Sequence, residues 1–134
     1  MGRMLWTVLT ILTVTATGLA AQQARFPDTP QGKLAAGFFA AVGNPDERVL
    51  AQFQDANFSK AALERRSPEE RQARNRDLRE RAGALTLTDV VSEGATQLTV
   101  TATGANAPGV TLMITFTFTS STPIKIEALQ IQSQ

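Results

Sequence analysis

From Val110 to Thr119 the chain alternates without a break: Val110, Leu112, Ile114, Phe116 and Phe118 share one parity, and Thr111, Met113, Thr115, Thr117 and Thr119 share the other. Successive side chains of a strand point to opposite faces, so this run reads as one long strand with a greasy face and a threonine face. A strand of that length belongs at or next to the centre of an antiparallel sheet, where both of its edges are paired. Its apolar face also needs a cover.

The partners flank it. Leu85, Leu87 and then Val90 or Val91 mark a first strand, followed by a turn at Ser92-Glu93-Gly94. Leu98, Val100 and Ala102 alternate with Thr99, Thr101 and Thr103 in a second, and Gly104 to Gly109, with Pro108 inside it, reads as the next turn. After Ser120-Ser121-Thr122-Pro123, Ile124 and Ile126 open a fourth strand that ends with Leu129 and Ile131. The apolar phase slips by one residue between these pairs, which predicts a β-bulge near Glu127-Ala128 and a bend in the sheet. Lys125 and Glu127 read as a surface pair.

The cover comes from the charged half of the chain, before Gly83. Thr29 can cap a helix from Pro30 to about Val42, in which Leu34, Phe38 and Ala41 form an apolar stripe beside Ala35 and Phe39. Gly43-Asn44-Pro45 stops it, and Asn44 is placed to cap a second helix from Pro45 to about Phe53. Phe26, Phe38, Phe39, Phe53 and Phe58 are five of the seven phenylalanines and should roof the core. A third helix opens at Ser67-Pro68-Glu69-Glu70 and closes at Gly83. Only Ala73, Leu78 and Ala82 give it an apolar face; its arginines alternate with acids, Glu70 with Arg74 and Asp77 with Arg81 having ion-pair spacing. With 13 Lys+Arg against 12 Asp+Glu there is no unopposed positive charge of the kind nucleic acid requires, so no nucleic-acid partner is expected.

Residues 1–20 have the layout of a secretory signal peptide: Arg3, an apolar stretch from Met4 to Val14 broken only by threonines, and the small-residue end Gly18-Leu19-Ala20-Ala21. Cleavage after Ala20 would leave equal numbers of basic and acidic groups, an extended segment over 21–29 and a single α+β domain over 30–134. An exported, periplasmic or secreted location follows, with no stable membrane anchor after cleavage.

Three helices followed by a four-stranded antiparallel meander with a bent last strand resemble the nuclear-transport-factor-2-like, or SnoaL-like, fold. That resemblance implies a cystatin-like cone in which a curved sheet wraps helix one. A second resemblance rests on Phe26-Pro27-Asp28-Thr29-Pro30-Gln31-Gly32, Gly43-Asn44-Pro45-Asp46, the Phe58 segment, Ser67-Pro68-Glu69-Glu70-Arg71 and Arg79-Glu80-Arg81-Ala82-Gly83. These look like the small accessory domain that precedes the catalytic domain in some secreted serine hydrolases of the β-lactamase and C-terminal-processing-peptidase types. It implies a stand-alone accessory module and carries no catalytic residue over.

The chemical inventory agrees with that. Cysteine, histidine and tyrosine are absent, which removes thiolate chemistry, His-based triads and imidazole metal sites. No phosphate loop, nucleophile elbow or carboxylate metal cluster is present, so no metal or cofactor is expected. Two functions remain. The first is a non-catalytic binding module, holding a small apolar ligand in a pocket built around Phe38, Leu98, Val100, Leu112, Ile114 and Phe116, or a partner protein or second copy on the face of Thr111, Met113, Thr115, Thr117 and Thr119. The second is a pocket enzyme of isomerase or cyclase type with Asp89, the one acid inside a strand pattern, as its base. They separate on whether Asp89 points inward among Leu98, Ile114 and Phe116.

Overall fold

The computed structural model describes residues 24–134; the expected signal peptide and its cleavage site lie outside them. Four helices precede the sheet: α1 (Pro30–Gly43), α2 (Glu47–Asn57), α3 (Lys60–Glu64) and α4 (Pro68–Arg81). The expected count of three is corrected by α3. Ser59 makes it, because its Oγ accepts the Ala62 N–H at 3.1 Å and so caps a single short turn in the connection that carries Phe58.

The other caps follow the same logic. Thr29 Oγ1 accepts the Gly32 N–H at 3.0 Å and Pro30 takes the first helical position, where a missing N–H costs nothing. Ser67 does likewise for α4, accepting from the Glu70 N–H at 3.2 Å, and Gly83 ends that helix with φ 70°. At α2 the expectation was two residues early. Asn44 Oδ1 takes the Asp46 N–H, and Asp46 in turn takes the Arg48 N–H at 3.0 Å, so the helix starts at Glu47 and runs past Phe53 to Asn57.

The sheet is antiparallel with strand order β1 (Leu85–Glu93), β2 (Gln97–Gly104), β3 (Ala107–Phe118), β4 (Ile126–Ser133). The long alternating strand is β3, paired on both edges as its pattern demands. Its expected preceding turn shrinks to Ala105-Asn106, because the chain pairs again at Ala107 opposite Gly104 before Pro108, Gly109 and Val110 loop out as an irregularity. Gly109 takes φ 81° there, and a proline is tolerated because no ladder hydrogen bond is asked of it. In β4 the pairing steps from Thr117 opposite Ala128 to Phe118 opposite Ile126, leaving Glu127 as the extra residue of the expected bulge. Two further irregularities in β1, at Thr88 and Val91, decide an open choice: Val90 faces Val100 and the core, and Val91 is 53% exposed.

The core lies between α1 and the apolar face of β2 and β3. Phe38 reaches across from α1 to meet Phe116 edge-on, with ring centroids 5.7 Å apart. Phe38 and Phe39 are buried, and Phe26, Phe53 and Phe58 pack against the same cluster, as the roof they were expected to form. The end of α4 is tied to the sheet by the β2–β3 turn: the Asn106 N–H donates to the Ala82 carbonyl at 2.8 Å, and the Asn106 side chain donates to the carbonyls of Arg79 and Glu80. A helix C-terminus otherwise short of partners is satisfied from a distant loop.

Candidate functional site

Helix α4 carries so little apolar surface that it does not close down on the sheet. Leu78 is its only large apolar side chain facing inward, and α4 is held at one end by Asn106 and at its middle by Asn75, which exchanges hydrogen bonds with Gln54 of α2. The consequence is an open cleft of about 970 Å³ between α2, α3 and α4 on one side and β3 and β4 on the other. Its volume falls at the top of the ~300–1,000 Å³ range of small-molecule sites.

The six residues expected around a pocket do not stay together. Leu98, Val100, Ile114 and Phe116 are packed into the core, while Phe38 and Leu112 also reach the cleft wall. The other large apolar side chains on the lining are Phe58, Leu78, Val110, Leu129 and Ile131, partly exposed residues that the sequence marks only as core. Five arginines stand on the lining, Arg65, Arg66, Arg71, Arg74 and Arg81, against two carboxylates, Asp77 and Glu127. The alternation of arginines with acids along α4 gives no sign that one side of the helix overlooks this cleft.

Their partners differ. Arg65 meets Glu127 at 3.6 Å and also donates to its carbonyl, so the bulge residue of β4 is paired with α3's end and not with Lys125. Lys125 instead donates to the Ala56 carbonyl at the end of α2, which corrects the expected Lys125–Glu127 pair. Arg71 meets Asp55 at 3.8 Å and donates to the carbonyls of Leu63 and Arg66, and Arg81 meets Asp77 at 2.9 Å, in the expected spacing. The Glu70–Arg74 pair does not form among the described residues; Arg66 and Arg74 have no carboxylate within ion-pair distance there.

The opposite face of the sheet gathers the threonines as expected. Thr99 stands across from Thr115, Thr101 from Met113, Thr103 from Thr111 and Gln97 from Thr117, and β4 extends the row with Gln130 and Gln132. Thr119 lies just beyond β3, its N–H bonded to the Lys125 carbonyl. Asp89 belongs to this face. It pairs across from Thr101, is exposed, and accepts the N–H of Val90 at 2.8 Å, on the face opposite the one that carries Leu98, Ile114 and Phe116.

No group of three or more His, Cys, Asp or Glu side chains among the described residues could hold a metal ion, and no helix there is long and apolar enough to cross a membrane. Comparison with family models, with curated proteins and with solved structures finds no match to this chain.

Proposed function

We propose that this is an exported, non-catalytic binding module whose four strands curve round α1 as in the nuclear-transport-factor-2-like cone, and which takes a small apolar ligand in the cleft under α4. The observation that carries the reading is that cleft: about 970 Å³, with Phe58, Leu129 and Ile131 left partly exposed on its walls. The bulges of β1 and β4 support the curvature, and the Phe38–Phe116 contact supports α1 as the element enclosed. Asp89, exposed on the other side of the sheet, lends the isomerase or cyclase alternative no support.

The test is a neutral fluorescent probe, N-phenyl-1-naphthylamine, titrated into the protein. Saturable binding at one site per chain, weakened several-fold by Ile131→Gln with unchanged circular dichroism, is the expected result. Absence of saturable binding overturns the reading.

A second reading, a second copy of the chain docked on the threonine face, is favoured by one observation: among the residues paired across the four strands on that face, Asp89 alone is ionisable. An uncharged Thr, Gln and Met surface loses little on desolvation compared with a charged one. Replacing Thr115 and Thr117 by Lys should then convert a dimer seen in sedimentation to monomer while leaving the fold intact; a monomeric wild-type protein at high concentration rejects this reading.

A further inference from the structure

The charge on the cleft wall is not evenly neutralised. Of its five arginines, Arg65, Arg71 and Arg81 have carboxylates at 3.6, 3.8 and 2.9 Å, and these partners also account for both acids on the lining. Arg66, in the turn after α3, and Arg74, on α4, have neither a carboxylate nor a side-chain hydrogen bond among the described residues. Residues 1–23 contain no acidic side chain, so no carboxylate of that segment is available to them. Two uncompensated guanidinium groups thus border a cavity whose sheet side is built from Val110, Leu129 and Ile131.

We infer that the cleft takes an anionic amphiphile, a free single-chain carboxylate of fatty-acid type, with its chain along the β3–β4 wall and its head group on Arg66 and Arg74. The inference rests on the binding-module reading and deepens it by naming the ligand class. Both guanidinium groups are exposed and hydrated, so a neutral ligand draws nothing from them. A carboxylate supplies that charge and accepts hydrogen bonds from the planar donor fork of arginine, the strongest class of such bonds. The space favours one free chain over a membrane, because the apolar wall is a strand surface on which Leu112 is buried and Leu129 and Ile131 are half-buried, not an exposed helix face.

The experiment uses N-phenyl-1-naphthylamine as reporter and three competitors below their aggregation limits: dodecanoate, dodecan-1-ol and dodecylammonium. Dodecanoate should displace the reporter at about tenfold lower concentration than the alcohol, the ammonium should be weakest, and the difference should shrink as salt is raised. In an Arg66→Gln/Arg74→Gln variant, chosen because neither side chain holds a structural partner, the preference for dodecanoate over dodecanol should fall by about tenfold with the alcohol unchanged. Equal displacement by dodecanoate and dodecanol, or a preference that survives the double substitution, overturns the inference while the binding-module reading stands. Failure of the reporter itself to bind overturns the reading and the inference together. Sedimentation with phosphatidylglycerol vesicles while the reporter stays bound would place the two arginines at a membrane surface and overturn the free-carboxylate assignment.

Discussion

Gln54 of α2 and Asn75 of α4 lie amide to amide, each donating an N–H to the other's oxygen at 2.8 Å. Gln54 is 7% exposed and is the one buried polar side chain among the described residues, so the pair is the polar bolt that holds α4 at its stand-off distance. Asn75→Ala leaves the buried Gln54 amide without its partner and should cost about 1–3 kcal/mol in urea unfolding, whereas Gln54→Leu/Asn75→Leu together should cost much less, since no orphaned polar group remains. Equal losses in the single and double variants would show that the two amides are not coupled.

Phe38 is 1% exposed and touches both Phe53 and Phe116, at centroid distances of 6.3 and 5.7 Å. Truncation to alanine should destabilise the fold by about 3–5 kcal/mol. A loss below about 1 kcal/mol, measured by chemical denaturation, would mean that the core closes around the vacancy.

Gly104 lies so close to the connection between α4 and β1 that an added Cβ would collide with the Ala82 carbonyl oxygen. The atoms it would meet are all backbone of Ala82 and cannot swing aside. Gly104→Ala should therefore cost about 1–3 kcal/mol through forced displacement, and the Asn106 N–H to Ala82 bond should weaken with it, seen as faster amide hydrogen exchange at Asn106.

The Arg48 side chain donates to both carboxylate oxygens of Asp46, at 3.2 and 3.1 Å, and with the Arg48 backbone N–H it holds the Asp46 carboxyl below its ordinary value of 3.8. A carboxylate depressed in the folded state stabilises it above the unfolded-state value and loses that contribution as pH falls through the folded one. Asp46→Asn should lower the melting temperature slightly at pH 6, with the gap to wild type closing below about pH 3.8. A gap that widens on acidification would contradict the assignment.

The sheet was largely legible because alternation is a local signal: Val110 to Phe118 announces its own faces, and the phase slip after Ile126 marks the bulge one residue wide. Elements whose evidence is a single side chain were not. Ser59 turns five residues into α3 with one hydrogen bond, and Asp46 displaces Asn44 as cap by two positions. The cleft was hidden for a different reason. An arginine on a helix reads the same whether it overlooks water or a cavity, and which arginines keep a counter-charge depends on Asp55 and Glu127 arriving from other elements. Lone apolar residues such as Leu129 and Ile131 likewise announce burial, and only the distance of α4 leaves them half open.

Glu127 adds a residue to β4 without adding a pair, since Ile126 and Leu129 face inward on either side of it and Ala128 faces out. A three-base deletion at that codon would therefore restore plain alternation and keep every apolar side chain on its own side of the sheet. The same deletion at Gln130 would send Ile131 to the water face. The gene can thus lose one specific codon and keep its reading of inside and outside, forfeiting only the bend and the anchor for Arg65, so strand curvature in this protein is written separately from strand pairing.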